Sequence, residues 1–216
     1  MKLILALTAV TIYSFSTVLG QTVYQVPVSS KGNSIVLTVA NESNSLGASM
    51  LSVKPVGSHP ELKFTPQVTT VKTLAARGEM DVTFSFDVGR EAKVGRKDTL
   101  VFEIKDRIGG IWLKSIVVQY TAPKQYRLDQ NFPNPFNPST TIYYDLPHDS
   151  KVSIIVYDIL GREVRHLIDR IEDAGSHDIR FSARGLASGV YIYRMQADPV
   201  RGGNGFSDVK KLMVLK

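Results

Sequence analysis

Eight consecutive residues, Asn131, Phe132, Pro133, Asn134, Pro135, Phe136, Asn137 and Pro138, limit what this chain can fold into more than any other stretch. Each proline fixes φ near about −65° and has no N–H, so the stretch is neither helix interior nor central strand. The residue before each proline is pushed toward extended backbone, which predicts a stiff segment. Phe132 and Phe136 are large apolar anchors within it. Asn134 and Asn137 can bond their own backbone and close turns. Two readings stand on composition alone. One is an ordinary Pro-rich linker. The other is an opening clip that docks on a domain beginning here, with both phenylalanines packed onto it.

The chain of 216 residues accommodates one or two domains. Its 43% hydrophobic and 21% charged residues are ordinary for globular protein. The net charge of +6 is not concentrated. Residues 21–122 carry 12 basic and 9 acidic side chains, and residues 123–216 carry 13 and 11. Neither half has the clustered positive face that phosphate-backbone binding needs, so no nucleic-acid partner is expected. Cysteine is absent. That excludes disulfides, a thiolate nucleophile, Cys-ligated metal and lipid attachment at an N-terminal Cys.

Residues 1–20 read as a secretory signal peptide. Lys2 supplies the positive end, and residues 3–18 form an uncharged apolar core. Val18 and Gly20 occupy the −3 and −1 positions of a cleavage site that makes Gln21 the first mature residue. The competing reading is a membrane anchor, but the apolar part is shorter than the roughly 20 residues a span needs. No stable membrane span is expected.

Residues 21–122 read as an all-β domain. Ile35, Leu37 and Val39 alternate onto one face, as do Val82, Phe84, Phe86 and Val88. Residues 98–104 and 111–120 continue the period of two. Turn chemistry separates the runs at residues 41–44, 54–57, 76–78 and 106–110, the last a hairpin candidate. Short strands at this spacing predict a sandwich. With Leu74 to Gly78, the Phe84/Phe86 strand, Ala92 to Gly95 and the residue 106–110 turn, this half resembles bacterial immunoglobulin-like modules of extracellular proteins. The resemblance implies spacing, display or binding rather than catalysis.

Residues 123–130 read as a linker, with Leu128 a possible anchor beside Phe132. Beyond the clip, alternation resumes. Residues 140–146 form a strand closed by Pro147, and Val152, Ile154 and Val156 share a face of the next. Residues 158–161 turn the chain, with Gly161 placed for a type I turn and a left-handed bulge residue. Residues 162–168 return antiparallel. Ile179 and Phe181 face inward on a short strand, and residues 185–189 form a tight loop ending at Gly189. Tyr191 and Tyr193 share a strand face and read as core aromatics with their hydroxyls tied to a loop. Residues 199–205 are a glycine-rich hairpin loop before a final strand.

Four blocks then occur in order: residues 131–142, 156–164 (Val-Tyr-Asp-Ile-Leu-Gly-Arg-Glu-Val), 186–193 (Leu-Ala-Ser-Gly-Val-Tyr-Ile-Tyr) and the last seven, Lys210, Lys211, Leu212, Met213, Val214, Leu215 and Lys216. Together they resemble the type A C-terminal sorting domain of the type IX (Por) secretion system. The resemblance spans about residues 126–216. It implies partners: an outer-membrane translocon that reads the folded domain, a surface sortase-like peptidase that removes it, and release of the cargo or its joining to an anionic lipopolysaccharide. It also makes residues 210–216 the recognition segment. As a final strand it would offer edge N–H and C=O groups for strand addition. It can equally be a last core strand, with Leu212 and Val214 buried.

Catalytic and metal chemistry find little support. No Gly-x-Ser-x-Gly elbow occurs. His59, His148, His166 and His177 lack metal-ligand spacing, and His148 and His177 read as solvated. Asp169, Glu172 and Asp173 offer oxygens for calcium but no EF-hand pattern, so a solvated turn is expected. Residues 202–205 precede a strand and lack the helix N-terminus that cradles phosphate. Trp112 and Tyr120 read as packing aromatics rather than a ligand platform. No cofactor is expected.

The sequence thus predicts an all-β chain of two immunoglobulin-like β-sandwiches in series: a cargo domain at 21–122 and a sorting domain at 131–216. The functional expectation is a non-enzymatic secreted or surface protein delivered by type IX secretion. The alternative is a periplasmic or surface binding module, for carbohydrate or protein, whose C-terminal domain is retained as structure.

Overall fold

The computed structural model describes residues 15–18, 21–41 and 43–215. Most of the expected leader, including Gly20 of its cleavage site, lies outside the described residues, as does Lys216. Every regular element among the described residues is a strand. The chain divides into two units, residues 1–121 and 122–216.

The N-terminal unit holds β1 (Phe15–Val18), β2 (Gln21–Pro27), β3 (Asn33–Ala40), β4 (Ala48–Val56), β5 (Leu62–Thr65), β6 (Thr69–Leu74), β7 (Glu79–Val88), β8 (Lys97–Lys105) and β9 (Ile111–Thr121). One sheet has the order β1-β2-β9-β8-β4-β6 and the other β3-β7-β5. Among the described residues of this unit, β2 and β9 pair in parallel and the other strand pairs are antiparallel. The alternating residues meet between the sheets. Ile35, Leu37, Phe84 and Phe86 from the smaller sheet pack with Val53, Leu100, Phe102 and Val118 from the larger, all buried.

Strands β4, β5 and β6 were not legible in the sequence, and the turn expected at residues 54–57 is a strand as far as Val56. Pro55 pairs opposite Phe102 of β8. It is tolerated because β6 has ended by Val53, leaving one side of β4 open there. The turn itself begins at Gly57, whose φ is +100°. The hairpin at residues 106–110 forms as expected. The Asp106 carboxylate accepts the N–H groups of Ile108 (3.0 Å) and Gly110 (2.6 Å) and closes it.

The C-terminal unit holds β10 (Arg127–Leu128), β11 (Ser139–Leu146), β12 (Ser150–Tyr157), β13 (Glu163–Glu172), β14 (Gly175–Ser182), β15 (Gly189–Pro199) and β16 (Phe206–Val214). Sheet β10-β11-β14 faces sheet β13-β12-β15-β16, and all pairs are antiparallel. Ile142, Tyr144 and Phe181 pack against Val152, Ile154, Val156, Tyr193, Met195, Leu212 and Val214. At residues 158–161, Gly161 donates to the Asp158 carbonyl (3.0 Å) with φ +78°, the expected turn-plus-bulge geometry. Gly189 opens β15 at φ +153°.

Three local expectations change. The segment expected as a linker contains β10: Leu128 is buried, and Arg127 pairs with the buried Asp145 at 2.6 Å. His177, expected to be solvated, is partly buried. It shares strand parity with Ile179 and Phe181, so its ring turns inward and stacks on Tyr144 at 5.4 Å. The two clip phenylalanines also part company. Phe136 is 3% exposed and meets Phe181 edge-on at 5.8 Å, whereas Phe132 is 76% exposed. Replacing Phe136 with Ala therefore has an expected cost of about 3–5 kcal/mol in the C-terminal unit, read by chemical denaturation. Phe132→Ala is expected to stay within about 0.5 kcal/mol. Equal losses at both positions would contradict this packing.

Candidate functional site

The clip and the last strand are brought together. Tyr193 sits at the centre. Its hydroxyl donates to the Asp129 carbonyl (2.7 Å) and accepts from the Asn131 N–H (2.9 Å). Burial pushes its pKa up, which keeps the donating proton in place. Asn131 is 1% exposed and organises the next turn. Its Nδ2 donates to Thr140 Oγ1 (2.9 Å) and to the Pro133 carbonyl (3.1 Å), and Thr140 Oγ1 donates to that same carbonyl (2.8 Å). Phe132 exchanges two backbone bonds with Thr141, at 2.9 and 3.0 Å. The Phe132–Pro133, Asn134–Pro135 and Asn137–Pro138 peptide bonds are cis. Tyr191 makes a second tie, donating to the Ala187 carbonyl at 3.0 Å. Both tyrosines thus have their hydroxyls fastened to loop backbone, as their shared strand face suggested.

β16 is an edge strand, paired with β15 alone in its sheet. Its other side meets the clip. Asn134 Oδ1 accepts the Met213 N–H (2.9 Å), and Asn134 Nδ2 donates to the Lys211 carbonyl (3.3 Å). Gln130 Nε2 donates to that carbonyl as well (2.6 Å). Phe136 then forms a parallel bridge: its N–H donates to Met213 C=O and its C=O accepts from Leu215 N–H, each at 3.0 Å. The prolines explain why side chains take part. Pro133 and Pro135 have no N–H, so the clip backbone alone lacks the donors of a regular strand. The carboxamides of Gln130 and Asn134 supply them.

Residues 210–215, expected from the resemblance to be the recognition segment, divide by strand parity. Leu212 and Val214 are buried in the core, Met213 is partly buried, and Lys211 and Leu215 are exposed. Lys210 pairs with Asp208 at 2.8 Å. Among the clip residues, Pro133, Asn134, Pro135, Asn137 and Pro138 are exposed. Gln130 and Thr140 were missed by sequence reasoning, since neither residue type announces a role at that place. Asn134 was read as a local turn former, but it bonds residues far along the chain.

Among the described residues, no group of three or more His, Asp or Glu side chains could hold a metal ion. Glu172, one of the calcium candidates, is engaged by Tyr144 and Arg170. In the N-terminal unit, a cavity of about 550 Å³ opens beside Trp112, Leu46, Arg107 and Ile108. A second polar cluster lies in the same unit. Asp98 Oδ2 is 3.3 Å from His59 Nδ1, from the Tyr120 hydroxyl and from Arg96 Nη2, and Arg96 also pairs with Glu61.

Residues 130–214 match the secretion system C-terminal sorting domain. The C-terminal unit is a sorting domain of the type IX (Por) system. The match starts at Gln130, which donates to the Lys211 carbonyl of β16, and ends at Val214, so it covers both partners of the clip–strand contact. No curated protein matches the sequence. Among solved structures, dimeric latent PorU from Porphyromonas gingivalis is 16% identical with a TM-score of 0.34, over 88% of this chain and 19% of PorU. The chain thus spans about a fifth of PorU's length. The periplasmic chaperone SfaE is 10% identical with a TM-score of 0.33, over 91% of this chain and 97% of SfaE. The D0–D1 domain of intimin is 10% identical with a TM-score of 0.29, over 88% of this chain and 94% of that one.

Two outcomes test these networks. Tyr193→Phe leaves the buried Asn131 N–H and the Asp129 carbonyl without their partner, so the sorting domain is expected to lose about 1–3 kcal/mol in urea unfolding. A neutral result would mean the hydroxyl does not hold the clip. In the N-terminal unit, burial works to raise the Asp98 pKa, but the hydrogen bond and charge of His59, the Thr99 N–H and Arg96 outweigh it and hold the carboxyl below its ordinary value. A depressed folded pKa contributes stability above the unfolded value of about 4, and that stability is lost as pH falls through the folded value. Melting of wild type and Asp98→Asn across pH is therefore expected to differ at neutral pH and to converge in acid. A constant gap would contradict the assignment.

Proposed function

We propose that this chain is a non-enzymatic cargo protein addressed for type IX secretion. The leader carries the chain into the periplasm. The C-terminal sandwich, folded before it is read, presents its last strand to the outer-membrane translocon. A surface sortase-like peptidase then removes it, and the N-terminal sandwich is released or joined to an anionic lipopolysaccharide. The observation that carries this reading is the sorting-domain match over residues 130–214. The separate cores of the two units support it, because a self-contained address can be removed without unfolding what it delivers.

The N-terminal unit is proposed to act at the surface as a display or binding module. The cavity beside Trp112 favours binding over mere spacing, since it sets an aromatic side chain at an open loop end of the sandwich.

Truncation after Thr121 removes the address and leaves the N-terminal core intact. The truncated protein is expected to accumulate in the periplasm with Gln21 as its first residue, read by fractionation and mass spectrometry of its termini. Its normal appearance outside the cell would contradict the proposed function.

A further inference from the structure

We propose that the edge of β16 from Lys211 to Met213 is a strand-docking surface for an extended segment of the secretion machinery, and that the Asn134 side chain, at the tip of the clip, occupies it in the free protein. This rests on the sorting reading above and goes beyond it, because it names the atoms that the receptor must take over.

The edge that a receptor strand would use is not free. The Lys211 carbonyl and the Met213 N–H are both bonded by the Asn134 side chain, and Gln130 adds a second bond to the Lys211 carbonyl. A carboxamide carries its acceptor oxygen and an N–H donor side by side. Asn134 therefore makes the two bonds that the N–H and C=O of one residue of a neighbouring strand would make. Exchanging it for such a strand conserves the number of hydrogen bonds, so the swap carries little net cost.

The clip is built to let only its tip go. Asn131 and Phe136 bracket it and are buried at 1% and 3% exposure. Residues 132–135 between them are exposed. Phe132 and Pro133 stay tied to Thr141, Asn131 and Thr140 by hydrogen bonds, so the part free to leave the edge is the exposed Asn134 side chain. Releasing it leaves the Phe136 side chain in the core and the Phe136–Leu215 backbone bond intact. The freed edge then offers Lys211 C=O and Met213 N–H beside the exposed Lys211 side chain. The partner it fits is an extended segment with an acidic residue opposite Lys211.

The chain has no cysteine, so an Asn134→Cys/Met213→Cys pair creates one defined crosslink between tip and strand. The full-length variant would be expressed in a type IX-competent cell, and surface delivery compared with and without reductant. The expected result is loss of delivery for the crosslinked form, with folded protein held in the periplasm and delivery restored on reduction. Delivery of the crosslinked form at the wild-type level overturns the proposal while leaving the sorting function standing. Failure of the wild-type chain to be delivered removes both. A second measurement reads the edge in the purified full chain. Asn134→Ala removes both side-chain bonds, the acceptor of the Met213 N–H and the donor to the Lys211 carbonyl. Hydrogen exchange at the Met213 amide is expected to accelerate while that at Leu215 stays slow. Unchanged protection at Met213 would show that Asn134 does not hold the edge and would also overturn the proposal.

Discussion

An edge strand leaves a row of backbone N–H and C=O groups on one side without a ladder, and any other extended chain can pair with them. In the sorting domain β16 has such an edge, and the clip is shaped by the need to cover it. Two anchors fix the clip: Tyr193, which bonds backbone on both sides of Gln130, and Phe136, whose ring enters the core. Between them the prolines deprive the backbone of donors, and Gln130 and Asn134 restore the missing bonds from their side chains. The opposite edge is handled differently. β13 slips register against β12 at two places, and such bulges spoil a strand as a template for pairing. One edge is distorted by these bulges, and the other is covered by the clip.

This difference connects packing to function. A domain that must be recognised as an address yet must not stick to other strands in the periplasm needs an edge that is available only to the right partner. A permanent bulge cannot provide that. A strand mimic bonded through two exposed carboxamides can, because each bond it makes is one that a receptor peptide replaces in kind. The core of the N-terminal sandwich closes on its own residues.

The periodic strands were legible in the sequence because one face of each is fully buried. Ile35 and Leu37, Phe84 and Phe86, and Val152 and Ile154 all fall where period-two alternation puts them. Strands β4 to β6 were not legible. Pro55 looks like a breaker, and only the early end of β6 makes it harmless. The clip was recognisable as a rigid element, but its two phenylalanines are indistinguishable in sequence. Which one is buried depends on the backbone pairing of Phe132 with Thr141 and of Phe136 with β16, and those are contacts between distant segments. The same holds for Asn134. A local reading assigns it to its own turn, while its actual partners lie on the last strand. His177 was misplaced for a simpler reason: its polarity outweighed its parity with Ile179 and Phe181.

The central claim is that the C-terminal sandwich is a self-sufficient address. Joining residues 122–216 to an unrelated, leader-bearing periplasmic reporter and locating the reporter in a type IX-competent cell tests it most directly. The reporter is expected to leave the cell or reach its surface, with the appended domain missing from the delivered form. A reporter that stays in the periplasm with a folded, intact appended domain would contradict it.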